Sequence, residues 1–205
     1  RAMTSAIEGS RFDSGLGYSP GQSEADGWAE LDKLDASGPE GDARRDALAE
    51  QVRIANNQFN AHGVELGYCY DNGALVHDGS TYSENPRDPV LHYHPTTRPG
   101  ARLPHARIER DGVLISTLDL NDGLAFVLIT GRNGAPWAAA ARQVENSLGI
   151  TISMCAFDGP DGFHDPYGEW AERREVGDSG CVLIRPDRHI AWRSIMTVSY
   201  THLTL

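Results

Sequence analysis

Apolar residues recur at helical spacing in two stretches of this chain. Leu48, Val52, Ala55 and Phe59 share one helical face. With Asp42 as N-cap and Gly63 as the stop, they predict a helix over residues 43–61. Trp137, Ala141, Val144 and Leu148 form a second such face, opened by Pro136 in its first turn and closed by Gly149. Elsewhere the period is two, or the run is continuously apolar. Val64, Leu66, Tyr68 and Tyr70 alternate with Glu65, Gly67 and Cys69; Asp71-Asn72-Gly73 is hairpin-turn chemistry, so a hairpin is expected over residues 64–76. A short strand is expected at Val113–Thr117, a buried one at Leu124–Ile129 and another at Ile150–Ala156. Cys181–Ile184 and His189–Trp192 complete the set as a hairpin around Arg185-Pro186-Asp187-Arg188. Residues 9–41 read as loop with a short helix near Trp28–Leu34, and Glu169–Arg174 as one or two helical turns.

Strand, helix, strand, irregular crossover and hairpin is the order of a thioredoxin-like sheet, so the fold class is α/β. That fold ends in a helix covering one sheet face, and residues 195–205 stand in its place without a helical pattern. Apolar side chains from 124–129 and 150–154 are therefore expected to lie bare. Prolines 86, 89, 95, 99 and 104 rule out long regular structure in residues 77–106, which read as a connector.

Composition narrows the function classes. A net charge of −11 over 205 residues disfavours nucleic acid and anionic membranes as partners. No apolar run is long enough to span a bilayer as a helix. Cys69, Cys155 and Cys181 form no C-x-x-C, which fits a reducing cytoplasm. Arg1 is not an initiator methionine, so the chain is expected to be a C-terminal fragment; residues 195–205 are expected to be a non-native tail.

Candidate chemistry is sparse. No G-x-G-x-x-G follows a strand, and no phosphate-loop motif is present. Thr130-Gly131-Arg132-Asn133-Gly134, where a thioredoxin would carry its cysteine pair, holds no sulfur. His92 and His94 could seed a metal site, but the neighbours Glu84, Asp88 and His105 have no diagnostic spacing. Ser116, Ser179 and Cys181 lack a nucleophile elbow. The strap Arg98-Pro99-Gly100-Ala101-Arg102-Leu103-Pro104-His105 stands out. Its stiff backbone presents Arg98, Arg102 and His105, and charge-assisted hydrogen bonds from them suit interdomain docking.

One collinear set of residues goes further. Phe59-Asn60-Ala61-His62-Gly63-Val64-Glu65-Leu66-Gly67-Tyr68, Asp88-Pro89, the strap, Ser116-Thr117-Leu118-Asp119-Leu120, Ile184-Arg185-Pro186-Asp187 and Ala191-Trp192-Arg193 resemble the C-terminal part of the FAD-dependent aromatic hydroxylases. The nearest branch is the phenol and chlorophenol monooxygenases, with polyketide hydroxylases as relatives. The resemblance implies a full-length enzyme that uses FAD and NAD(P)H to hydroxylate a phenolic substrate through a flavin C4a-hydroperoxide. It implies that residues 1–76 end a flavin and substrate domain. It also implies that residues 107–194 are a thioredoxin-like domain without redox cysteines, packing on the flavin domain of the same chain and aiding a homodimer. The family's flavin-binding motifs have no counterpart here, so no catalytic, cofactor-binding or metal-ligating residue is assigned. The rival is a non-catalytic thioredoxin-like interaction module; a third reading is a metal-dependent enzyme built on His92 and His94.

Overall fold

The computed structural model describes residues 15–81, 87–159 and 162–196. The chain divides into two compact units: Arg1–Leu66 with Asn85–Tyr93, and Gly67–Glu84 with His94–Leu205.

The first unit is helical. Helix α1, Glu24–Asp32, begins at Ser23, whose side chain accepts the Asp26 N–H. Helix α2, Pro39–Phe59, starts a turn earlier than Asp42 suggested, because Pro39 is pre-set for a first helical turn. Arg45 Nη1 donates to the carbonyls of Leu34 (2.6 Å) and Ala36 (3.0 Å), closing the α1–α2 connection. The expected apolar face of α2 exists but is not buried: Phe59 is 73% and Val52 51% exposed, and Trp28 on α1 is 61% exposed.

The hairpin expected over residues 64–76 is not formed. His62–Glu65 is instead a single helical turn, α3. It holds Gly63 against residues 89–90: the Gly63 N–H donates to the Val90 carbonyl at 3.0 Å, and a Cβ on Gly63 would lie 2.0 Å from the Pro89 oxygen. Beyond α3, the backbone partners of 67–76 lie elsewhere. The Tyr70 N–H donates to Gly100 O (2.9 Å) and the Val76 N–H to Ala191 O (2.8 Å). The alternation still has a consequence, since Tyr68 and Tyr70 turn their rings toward one side and both meet His189.

The second unit opens with a hairpin of β1, Arg107–Arg110, and β2, Val113–Ser116. Its turn is Asp111-Gly112, with φ of 53° and 78°, the left-handed pair that a two-residue hairpin requires. A short 3₁₀ turn, Thr117–Leu120, follows behind a capping box made by Ser116 and Asp119. The main sheet contains β3 (Phe126–Thr130), β4 (Ile152–Ala156), β5 (Cys181–Ile184) and β6 (Ile190–Ser194). Strand order is β4-β3-β5-β6; β3 and β4 are parallel and the other pairs antiparallel. Parallel pairing demands a crossover, supplied by helix α4, Ala135–Leu148, which ends at Gly149 in the left-handed region (φ 67°). A short helix α5, Glu169–Arg173, lies between β4 and β5. This is the thioredoxin-like order that the sequence predicts.

The expected bare patch is met only in part: Val127, Leu128, Ile129 and Ile152 are buried, whereas Leu124, Ile150 and Met154 are exposed. On one face Val127, Ile129, Val182, Ile184 and Ile190 pack with Ile108, Phe157, Trp170 and Leu103. On the other, Leu128, Ile152 and Cys181 pack with Ala141 of α4. The half-buried Trp137 and Trp192 rings meet edge-on at 5.5 Å, and the Trp137 indole donates to Ser179 O at 2.8 Å. Leu124, 85% exposed, precedes β3 rather than belonging to it. Residues 197–205 of the expected tail lie outside the described residues.

Trp170, 2% exposed and stacked on Phe157 at 5.8 Å, is the largest fully buried side chain. Trp170→Ala is expected to cost about 3–5 kcal/mol, measured by urea unfolding, because it removes the stack on Phe157 and leaves a cavity in the core.

Candidate docking site

The strap at residues 98–105 is built into the second unit. The Gly100 N–H donates to Ile190 O, the Ile190 N–H to Ala101 O, and the Leu103 N–H to Arg188 O, each at 2.8 Å. The strap thus pairs with the start of β6 and the turn before it. Gly100 sits at φ 92°, and a Cβ there would stand 2.0 Å from the Tyr70 carbonyl, so only glycine fits. Leu103 and Ala106 are sealed in the core.

This placement changes what the three candidate docking residues can do. Arg98 is half-buried, and its N–H donates to Thr96 Oγ1 at 3.2 Å. Arg102, also half-buried, bridges to His189 through the backbone. His105 is exposed, but its Nδ1 shares a 2.8 Å hydrogen bond with Ser116 Oγ, and its carbonyl accepts from Arg173. Each is engaged with a different part of the second unit. Among the described residues, no three His, Cys, Asp or Glu side chains are grouped to hold a metal ion.

The dominant polar feature lies next to the strap, around Arg193 of β6. Its guanidinium is 7% exposed. Nε donates to Asp78 Oδ2 (2.5 Å), Nη2 to Ser80 Oγ (3.1 Å), and Nη1 to both Thr97 Oγ1 (3.0 Å) and Glu175 Oε2 (2.5 Å). Glu175 also accepts from Thr96 Oγ1 and the Thr97 N–H, and Thr97 Oγ1 donates to Arg174 O at 2.6 Å. One buried cation thus gathers residues 78–80, 96–97 and 175 onto the sheet. Burial pushes the Asp78 carboxyl up, but hydrogen bonds from Ser80 and Arg193 outweigh it and hold it at about 2. Sequence reading noted Ala191-Trp192-Arg193 only as part of a resemblance. The available signal was an arginine directly following the expected strand His189–Trp192, a position that demands a partner if it is buried.

At the C-terminal ends of β3 and β4, where this fold carries thiol chemistry in other proteins, lies a cleft of about 410 Å³. Its walls include Thr130, Met154, Phe157 and Phe163, with Arg110 and Arg132 at the margin. The nearby thiols lie in the core: burial raises Cys155 to about 11 and Cys181 to about 12, so both stay protonated at neutral pH.

Residues 96–204 match the family described as "Aromatic-ring hydroxylase, C-terminal", a match that runs through the segment expected to be a non-native tail. The chain is 40% identical over 156 residues to phenol 2-monooxygenase of Pseudomonas sp. (strain EST1001), covering 76% of this chain and 26% of that protein. It is 40% identical over 159 residues to 2,4-dichlorophenol 6-monooxygenase of Cupriavidus pinatubonensis, covering 77% and 26%. Among solved structures, the flavin-dependent monooxygenase PieE, in complex with FAD and substrate, superposes with a TM-score of 0.88 at 44% identity, over 95% of this chain and 34% of that one. The chain spans about a quarter of the length of the curated relatives it matches.

Removing the buried cation should loosen everything it gathers. Arg193→Leu is expected to cost about 3–5 kcal/mol, because it strands two carboxylates. Hydrogen exchange should rise first at residues 78–80 and 96–97, ahead of β3. The Asp78 carboxyl, ordinarily near 3.8, is held at about 2 when folded. Its contribution is therefore complete above the unfolded value and is lost as pH falls toward 2. It amounts to on the order of 2 kcal/mol. Asp78→Asn should flatten the difference in unfolding free energy between about pH 4 and pH 2, relative to wild type.

Proposed function

Because the chain belongs to the aromatic-ring hydroxylases, as their C-terminal part, we propose that the whole protein is a flavin-dependent monooxygenase. It would hydroxylate a phenolic ring with NAD(P)H and O₂. The observation that carries this reading is the 40% identity to two phenol-hydroxylating relatives across three quarters of the chain.

Among the described residues, the turn that most resembles a flavin cradle does not fit one. The strand-to-helix turn best placed to cradle a pyrophosphate, Gly131–Gly134 between β3 and α4, is already filled. A Cβ on Gly131 would lie 2.6 Å from Asp178 O, and the Asn133 N–H already donates to that oxygen at 3.1 Å. FAD, which would supply the oxygen chemistry, is assigned to the part of the protein beyond this chain. The described residues then have a structural role. The first unit presents Trp28, Val52 and Phe59, too apolar to be left in water, for packing against the flavin and substrate region. The second unit supplies the thioredoxin-like body. Exposed Val113, Leu114 and Leu124 support a share in a homodimer contact. Three free cysteines support a cytoplasmic setting. Among the described residues, no helix is long and apolar enough to cross a membrane. The interaction-module reading has no observation of its own, since the relatives named as monooxygenases match over the same residues.

The test is to express the longer reading frame and purify it. It should be yellow with bound flavin and should oxidise NADPH faster when phenol is added, whereas the 205-residue chain alone should retain no flavin. A colourless longer protein indifferent to phenol would overturn the proposal.

A further inference from the structure

Two Asn-Gly pairs stand in the second unit, Asn72-Gly73 and Asn133-Gly134, and their surroundings are opposite. An asparagine followed by glycine can lose its side-chain amide without an enzyme. The glycine backbone nitrogen attacks Asn Cγ, a C–N bond forms, and ammonia leaves. Water then opens the five-membered imide to aspartate or isoaspartate. Glycine favours the attack because it has no Cβ to obstruct it and a wide choice of backbone angles. The attacking nitrogen must also be free of hydrogen bonds and able to move.

At Asn133 these conditions fail. The Gly134 N–H donates to Gly131 O at 3.1 Å, and the Asn133 N–H donates to Asp178 O at 3.1 Å. Gly134 is buried, and a Cβ on it would lie 2.2 Å from Thr130 Oγ1. Its carbonyl accepts the first N–H groups of α4, from Trp137 and Ala138. Reaction there requires the helix entry to open.

At Asn72 they are met. Asn72 and Gly73 are exposed, Gly73 lies at φ 98°, and among the described residues its N–H has no hydrogen-bond partner. The loop is tied down at its margins, by the Tyr70 and Val76 N–H groups and by His77 Nε2 against Asp71 O. Arg185 Nη1, 4.0 Å from where a Cβ on Gly73 would stand, is the nearest neighbouring atom there, so the turn has open space around it.

We propose that Asn72-Gly73 is a site of spontaneous deamidation in the folded protein, while Asn133-Gly134 is protected by the fold. The product carries a new carboxylate next to Asp71, and the iso form lengthens the main chain by one carbon. Arg185, paired with Asp187 at 2.6 Å and lying over the Tyr70 ring at 5.1 Å, borders the turn on which this charge appears.

The experiment is to age the folded 205-residue protein in mildly alkaline buffer at physiological temperature, beside a sample unfolded in guanidinium. Peptide mapping by mass spectrometry then scores both pairs, and an isoaspartyl methyltransferase labels the iso product. Both pairs should convert in the unfolded sample. In the folded protein only Asn72 should convert readily, with Asn133 at least roughly tenfold slower because it waits on local opening. Asn72→Gln should remove the methyl-accepting product. Equal conversion of the two pairs in folded protein would overturn the proposal, as would an Asn72 that stays intact while the unfolded control reacts.

Discussion

The second unit is organised around a buried positive charge. A guanidinium out of water is tolerated only when its donors are used, and Arg193 uses Nε, Nη1 and Nη2 on Asp78, Ser80, Thr97 and Glu175. These partners come from three separated stretches of chain with little regular structure. Without the cation, residues 78–80 and 96–97 would have few other reasons to lie on β6. The clamp and the strap cooperate: Thr96 and Thr97 bind the charge network, and a few residues on Gly100, Ala101 and Leu103 continue along the start of β6 and the turn before it through backbone bonds. Proline makes the strap stiff, Gly100 permits its turn at φ 92°, and the network fixes where it starts.

The same economy explains how the sheet manages its edges. At one edge the strap pairs with the start of β6. The other, β4, is shielded at its ends: Glu145 Oε1 accepts the Ile152 N–H at 2.7 Å, and residues 156–158 bond with Phe163. Both faces carry packed side chains, one against the hairpin, α5 and the Phe157–Trp170 stack, the other against α4 and the Trp137–Trp192 pair, with Met154 of β4 left exposed. Apolar exposure remains on both units, at Trp28, Val52 and Phe59 of the first and at Val113, Leu114, Leu124 and Leu148 of the second.

Regular elements were legible wherever periodicity and burial agreed. Helix α4, with Pro136 and Gly149 at its ends, and the order of β3 to β6 followed from pattern alone. The hairpins show where pattern falls short. Asp71-Asn72-Gly73 has the better turn chemistry, yet the hairpin forms at Asp111-Gly112. The difference is tertiary: Ile108 of β1 has a core to enter, whereas the backbone on either side of residues 71–73 is claimed by Gly100 and Ala191. Local signals cannot reveal such a competitor. For the same reason Arg98, Arg102 and His105 were recognised as belonging to an unusual strap, while Arg193 drew no attention. Its partners Asp78 and Thr97 are 115 and 96 residues away in sequence, and no spacing rule reaches that far.

The route of the chain has a practical consequence. It leaves the helical unit after Leu66, returns to it for Asn85–Tyr93, and goes back to the sheet unit. The two units are therefore interleaved, not consecutive. No single cut separates them, and a chimera that joins one relative's helices to another's sheet at one crossover would mismatch either Gly63 with its Val90 carbonyl or Arg193 with Asp78. Exchange between relatives should succeed only when residues 67–84 travel with the sheet and 85–93 with the helices. In evolutionary terms, recombination inside this region is constrained to exchange the whole block.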